Sequence, residues 1–185
     1  VTKAYAYKTA LALNADYSMV SVSGYGIISG FTNDGNKIPE QTIPQYYDKL
    51  GFSYNKFADS ITVSETEWDF ERYKPDIIVI NLGTNDMNYA TTDERKAEFE
   101  DGYLDFLKKV RSLNPDSYIF QTYGVMGTSL EENIENVRRK YMSETGDERI
   151  TFIPLTMQDK DADGIVADWH PSPRTHSLVS QKVTA

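Results

Sequence analysis

The chain has 185 residues, 39% of them hydrophobic, which suffices for one core and is short for two domains. Its 28 acidic against 19 basic residues give a net charge of −9 without a cationic cluster that could displace counter-ions, which argues against nucleic acid or an anionic membrane as partner. No apolar run approaches the roughly 20 residues of a spanning helix, and the lack of cysteine removes disulfides and thiolate metal sites.

In chain order, "KAYAYKTALALN" (3–14) reads as a short helix and "YSMVSVS" (17–23) as a strand that runs into the glycine-rich "GYGIISG". A polar loop leads to "TIPQYYDKLG" (42–51), predicted as a short helix with Pro44 near its start and Gly51 just past its end. "DIIVINLG" (76–83) is almost wholly apolar, the pattern of a strand buried on both faces. In "TTDERKAEFEDGYLDFLKKVRSLN" (91–114) the spacing of Phe99, Tyr103, Phe106, Leu107 and Val110 predicts a helix, and Asp93 and Glu94 suit its positive end. A strand (117–124), a helix (129–146) with Ile134, Val137 and Tyr141 on one face and Gly146 as its stop, and a last strand (149–155) follow. From Pro173 the chain reads as the start of a further helix.

This alternation predicts an α/β three-layer sandwich: a parallel, flavodoxin-like sheet with helices on both faces, in a single domain over residues 1–185. In such sheets the site lies beyond the carboxyl ends of the strands. The informative residues are then Gly24–Tyr25–Gly26, Gly83–Thr84–Asn85–Asp86, Tyr123–Gly124–Val125–Met126 and the loop carrying His170.

Two tempting motifs fail on spacing. "GYGIISG" places Gly30 one residue late for a dinucleotide fingerprint, and a polar loop follows where a helix N-terminus should hold the phosphates. "DKDADG" (159–164) matches the first half of a calcium loop, but its twelfth position is His170, not a bidentate Glu, and Pro171 and Pro173 follow where a helix should begin.

Two others carry chemistry. In "NLGTND" (81–86), Gly83 lets backbone approach a ligand and Asn85 offers an uncharged amide donor, the kind of group that stabilises an oxyanion in acyl transfer. Otherwise the stretch is an Asn/Asp turn closing a strand. "DWHPS" contains His170, the residue type best suited to moving protons near neutral pH, or else a structural histidine. His176 has no partner evident from sequence.

Taken together, "SGYG", "PDIIVINLGTND" and "ADWHPSPRTHS", in this order, resemble the SGNH (GDSL-type) hydrolase superfamily. The lead-in "WDFERYKPD" (68–76) makes the chain most similar to carbohydrate esterase family two, the acetyl-xylan-esterase type. The resemblance implies that Gly24 supplies a backbone N–H and Asn85 a side-chain N–H to an oxyanion hole, and that His170 is the general base for a serine. Asp86 then braces the loop, and Trp169 and Tyr25 are candidates for stacking on a sugar. It further implies a secreted enzyme that removes acetyl groups from plant cell-wall polysaccharide, often joined to a β-sandwich or glycanase domain, with no metal or cofactor.

The pattern departs from the family in two places. The family's serine sits in a G-D-S segment at the end of a strand preceding "SGYG", upstream of Val1. Ser60, in "ADSIT" (58–62), is the fallback, disfavoured because Ala58 stands where Gly belongs and no buried strand precedes it. The missing strand is central in this fold, between those ending at Ser23 and Leu82. The chain is accordingly expected to belong to a larger polypeptide, and to be inactive and poorly folded alone. The second departure is Ala167, where superfamily members usually carry the Asp that orients the histidine. A Ser–His dyad with a main-chain carbonyl behind the imidazole is expected, ahead of Asp168 or Asp163 as substitutes. The alternatives are a carbohydrate-binding module derived from such an esterase that has lost its chemistry, and a flavodoxin-like phosphate or nucleotide binder.

Overall fold

In the computed structural model, which describes residues 2–52, 56–57 and 60–185, strands and helices alternate from residue 77 onward. The elements are α1 (Tyr5–Ala12), β1 (Lys56–Phe57), β2 (Ile61–Thr62), β3 (Ile77–Asn81), α2 (Asp93–Leu113), β4 (Tyr118–Tyr123), α3 (Glu131–Thr145), β5 (Ile150–Pro154), a 3-10 turn (Ala167–Trp169) and α4 (Pro173–Thr184). β3, β4 and β5 form a parallel sheet in that spatial order, with Ile80 beside Gln121 and Gln121 beside Phe152. β1 and β2 make a separate antiparallel ladder.

Consecutive parallel strands laid side by side in one direction place both crossover helices on the same face. Alternate residues of the strands, among them Ile80, Ile119, Tyr123 and Ile150, meet Phe99, Tyr103, Leu107 and Val110 of α2 and Ile134, Val137 and Tyr141 of α3. Each of these large side chains contributes about 1.5–3 kcal/mol by leaving water. The helix ends follow from local chemistry. Thr92 accepts the Arg95 backbone N–H at the start of α2, and Gly146 closes α3 in the left-handed region at φ 69°.

The third layer is α1 with α4, on the opposite face. Asn81 donates to the Tyr5 hydroxyl at 2.9 Å. Val125, Leu155 and Val179 form a second apolar cluster against Tyr5, Ile153 and Val183. The two helices meet through a Thr9–Ser180 hydroxyl pair and through His176, which stacks on Tyr5 and accepts the Tyr5 backbone N–H at Nδ1, 3.3 Å away. The partner of His176 that the sequence does not reveal is therefore α1.

Three elements differ from the sequence reading. Residues 17–23 make no ladder with any described strand, and Val20 is 80% exposed. Alternating apolar residues favour a strand, but a strand exists only where a neighbour accepts its hydrogen bonds. Residues 42–51 form turns instead of a helix. Thr42 is drawn into a parallel bridge with Gly26 and Lys49 into an antiparallel bridge with Glu67, and between the bridges the chain makes turn bonds such as Tyr46 N to Ile43 O. β3 is buried on one face only: among the described residues it lies at the sheet edge, and α1 meets it at its last residue, Asn81. Ile77 and Val79 are consequently 49% and 42% exposed.

Candidate active site

The carboxyl end of β3 turns directly into the loop that carries Asn85 and Asp86. Asp86 is fully buried, and its carboxylate receives three successive backbone N–H groups: Ile27 at 2.9 and 3.0 Å, Ile28 at 2.8 Å and Ser29 at 3.1 Å. Burial pushes this carboxyl up from its usual range, and the three N–H groups pull against that. The result is a nest of backbone donors around a buried carboxyl group, which staples the 24–30 segment onto the β3 exit.

Two glycines make that approach possible. A Cβ on Gly26 would lie 2.1 Å from the Ser29 carbonyl oxygen and 2.4 Å from the Asp86 carboxylate. A Cβ on Gly102, in mid-α2, would lie 2.3 Å from Ile28 Cγ2. Glycine weakens a helix interior by about 1 kcal/mol relative to alanine, and here that loss admits Ile28 against the helix.

The staple brings Asn85 to Tyr25. Asn85 Nδ2 donates to the Tyr25 carbonyl at 2.7 Å. A carboxamide nitrogen has two N–H groups, and among the described residues no acceptor takes the second. Gly24 precedes Tyr25 with φ at +79°, its carbonyl accepting from Phe31 N at 2.8 Å. No acceptor among the described residues takes the Gly24 N–H. The Tyr25 ring lies beside Tyr46 and Phe52, with centroids 6.2 and 6.1 Å away.

His170 arrives from the exit of β5. That exit is tied to the exit of β4 by Leu155 N to Tyr123 O and Gln158 N to Val125 O, so the His170 loop leaves from the same carboxyl edge. His170 is exposed, and its Nδ1 lies 3.1 Å from the Ala167 carbonyl oxygen. A carbonyl can only accept, so Nδ1 carries the hydrogen, and in the neutral ring Nε2 keeps its lone pair. Neither nearby acid is turned to this use. Asp163 binds Arg174 at 2.7 Å, and its carbonyl accepts from Ser172, whose hydroxyl also caps α4. Asp168 lies exposed in the left-handed region at φ 53°. Trp169 is 63% exposed, and Lys160 Nζ sits 4.6 Å from its ring centroid.

Gly24, Tyr25 and Asn85 are thus brought together by hydrogen bonds and chain adjacency. Trp169 and His170 form a second group at the same sheet edge, and among the described residues no hydrogen bond or ring contact joins the two groups. Asp159 accepts from Asp161 N and Ala162 N within its own turn, so the acidic loop is occupied with its own backbone. Ser60 lies in an exposed turn before β2, and Ala58 and Asp59 fall outside the described residues. Gln158, buried and bonded to the Trp169 carbonyl at 2.8 Å, is a residue the sequence does not signal. Ser172 could have been found there, as the serine before a proline that opens a helix.

Comparison with known proteins shows what the chain as a whole is similar to. The GDSL-like lipase/acylhydrolase family model matches residues 18–178. The cellulase/esterase CelE of Acetivibrio thermocellus is 32% identical over 98% of this chain, which spans 21% of CelE. The solved acetyl xylan esterase Est2A of the rumen bacterium Butyrivibrio proteoclasticus superposes with a TM-score of 0.88 at 29% identity, covering 100% of this chain and 54% of that one. A family two carbohydrate esterase from Clostridium thermocellum, solved with cellohexaose, superposes with a TM-score of 0.79 at 30% identity, covering 99% and 52%. The chain therefore spans about half the length of those solved relatives, and about a fifth of CelE. With a family match across most of its length and a fold that follows solved carbohydrate esterases from end to end, the chain belongs to the GDSL-like lipase/acylhydrolase family.

Proposed function

We propose that the protein is a carbohydrate esterase that removes O-acetyl groups from plant cell-wall polysaccharide outside the cell, working through a Ser–His dyad and an oxyanion hole. The observation that carries this reading is the contact of His170 Nδ1 with the Ala167 carbonyl. It leaves Nε2 as a base on an exposed ring at the carboxyl edge of the sheet, with no carboxylate among the described residues bonded behind the ring.

In this mechanism Nε2 of His170 takes the proton of the serine hydroxyl as the serine oxygen attacks the acetyl carbonyl. The Gly24 N–H and the second N–H of Asn85 receive the oxyanion that forms. Collapse expels the sugar hydroxyl, which takes the proton back from His170. Water then attacks the acetyl-serine carbonyl as His170 takes its proton, and collapse expels the serine oxygen, which takes that proton back from His170 as acetic acid leaves. We place the serine in the G-D-S segment that precedes "SGYG" in the family pattern, upstream of Val1, in preference to Ser60. The chain is read as one catalytic domain of a longer polypeptide. Trp169 offers a sugar the ring face that Lys160 does not cover, and Tyr25 offers a second aromatic surface beside the oxyanion donors. That a family two relative was solved with cellohexaose supports a saccharide as the ligand class.

The test is hydrolysis of an aryl acetate and of acetylated xylan by the intact protein, beside His170→Ala. Turnover that disappears with His170 is expected. Turnover unaffected by the substitution overturns the reading, and tight cello-oligosaccharide binding with no turnover points instead to the binding module.

A further inference from the structure

Residues 168 and 169 are consecutive, neither is glycine, and both lie in the left-handed region, at φ 53° and 61°. Side chains resist this conformation, so it persists only where surrounding contacts enforce it. Within the loop, Val166 N donates to His170 O at 2.9 Å, and Ile165 and Pro171 form a bridge. The tie from this turn to the body of the sheet is Gln158. Its backbone is held by Val125 O at 2.9 Å, and its Nε2 reaches the Trp169 carbonyl at 2.8 Å.

That bond acts on one peptide plane. In a trans peptide the carbonyl of Trp169 and the N–H of His170 point in opposite directions from a rigid plane. Gln158 holds the carbonyl end. The N–H end donates to Ala167 O at 3.1 Å, the same oxygen that lies 3.1 Å from Nδ1 of the imidazole. Fixing one end of the plane therefore fixes the acceptor behind the ring.

The choice of glutamine is informative. The residue is only 8% exposed, and because a carbonyl faces its amide, the amide must present Nε2, which leaves Oε1 buried without a partner among the described residues. An orphaned buried acceptor works against stability, so packing alone does not account for an amide at this position.

We propose that Gln158 is a positioning residue for the general base: by holding the Trp169 carbonyl it sets the left-handed turn that aims the Ala167 carbonyl at His170 Nδ1. The inference deepens the esterase reading of His170 and rests on it for its catalytic consequence.

The test uses the intact protein with Gln158→Met, of similar length without a donor, and Gln158→Glu, which sets a carboxylate against the carbonyl. The first readout needs no substrate. The chain has two histidines, 170 and 176, and at a pH where both are neutral, imidazole nitrogen NMR reports their tautomers. His176 accepts at Nδ1 and so carries its hydrogen on Nε2, whereas His170 carries it on Nδ1, which separates the two signals. In Gln158→Met the His170 signal is expected to become a mixture while that of His176 is unchanged. The second readout is turnover of an aryl acetate. A fall in kcat of about 10- to 100-fold is expected from losing alignment of the base, with KM within about threefold and no drop in melting temperature, since methionine removes the orphaned acceptor. Gln158→Glu should lose more. A single unchanged His170 tautomer, kcat within about twofold of the parent, or a kcat loss that only tracks a lower melting temperature each overturns the proposal. Activity that survives His170→Ala would sink the esterase reading alone, because the tautomer result still answers for Gln158.

Discussion

The carbonyl oxygen of Ala167 lies 3.1 Å from Nδ1 of His170 and accepts the backbone N–H of the same residue, also at 3.1 Å. The position where superfamily members carry an orienting aspartate thus presents a main-chain oxygen to the imidazole. A carbonyl sets the tautomer as a carboxylate does, but adds no negative charge to stabilise an imidazolium.

Asp163→Asn and Asp168→Asn, one at a time in the intact protein, are therefore expected to leave kcat within about tenfold of the parent. Loss of a true orienting carboxylate lowers kcat about 10⁴-fold in the serine-hydrolase template. Steady-state kinetics on an aryl acetate decide between these outcomes, and a thousandfold loss in either variant would assign the orienting role to that acid.

Asn85→Ala removes an amide already committed by one N–H to Tyr25. If its other N–H meets the oxyanion, kcat should fall about 10²- to 10³-fold with little change in KM, because the interaction forms fully only in the transition state. A rise in KM at constant kcat would mean that Asn85 binds substrate in the ground state.

Asp86→Asn tests the nest. Asparagine offers one acceptor oxygen and turns an NH₂ toward the N–H groups of Ile27, Ile28 and Ser29, which are held by the carboxylate. A loss of about 2–4 kcal/mol is expected by chemical denaturation. Gly26→Ala should lose about 2 kcal/mol or more, because its methyl meets the Ser29 carbonyl and the same carboxylate. Near-parental stability in both variants would show that this contact does not hold the loop.

His176 predicts a pH dependence of stability. Burial, followed by the charges of Lys8 and His170, pushes its imidazole below the ordinary value of 6.5. Between 6.5 and the lower folded value the unfolded chain takes up a proton that the native state refuses. This contribution is therefore whole above pH 6.5, declines as pH falls through that window and levels off below it. Urea denaturation across that range should show the decline in the parent and a flatter profile in His176→Gln. Identical slopes would exclude His176 as the source.

Where a feature was readable from sequence, its cause was local. The buried face of α2 follows from the spacing of Phe99, Tyr103 and Leu107, and the position of Asn85 follows from its place just after an apolar strand. Local pattern misled where pairing took precedence, as at 42–51, where bridges to Gly26 and Glu67 pull a helix-like stretch into turns.

The order of motifs and the alternation of elements, and with them the α/β class and the family resemblance, were properties of the sequence by itself, because periodicity and turn chemistry act between neighbours. Tertiary structure alone decided that Asn85 meets a carbonyl 60 positions earlier, that Asp86 gathers three N–H groups and that Gln158 holds the peptide before the base. Hydrogen bonds of this kind depend on where packed backbones place donors and acceptors to within a few tenths of an ångström, and no local pattern encodes that placement.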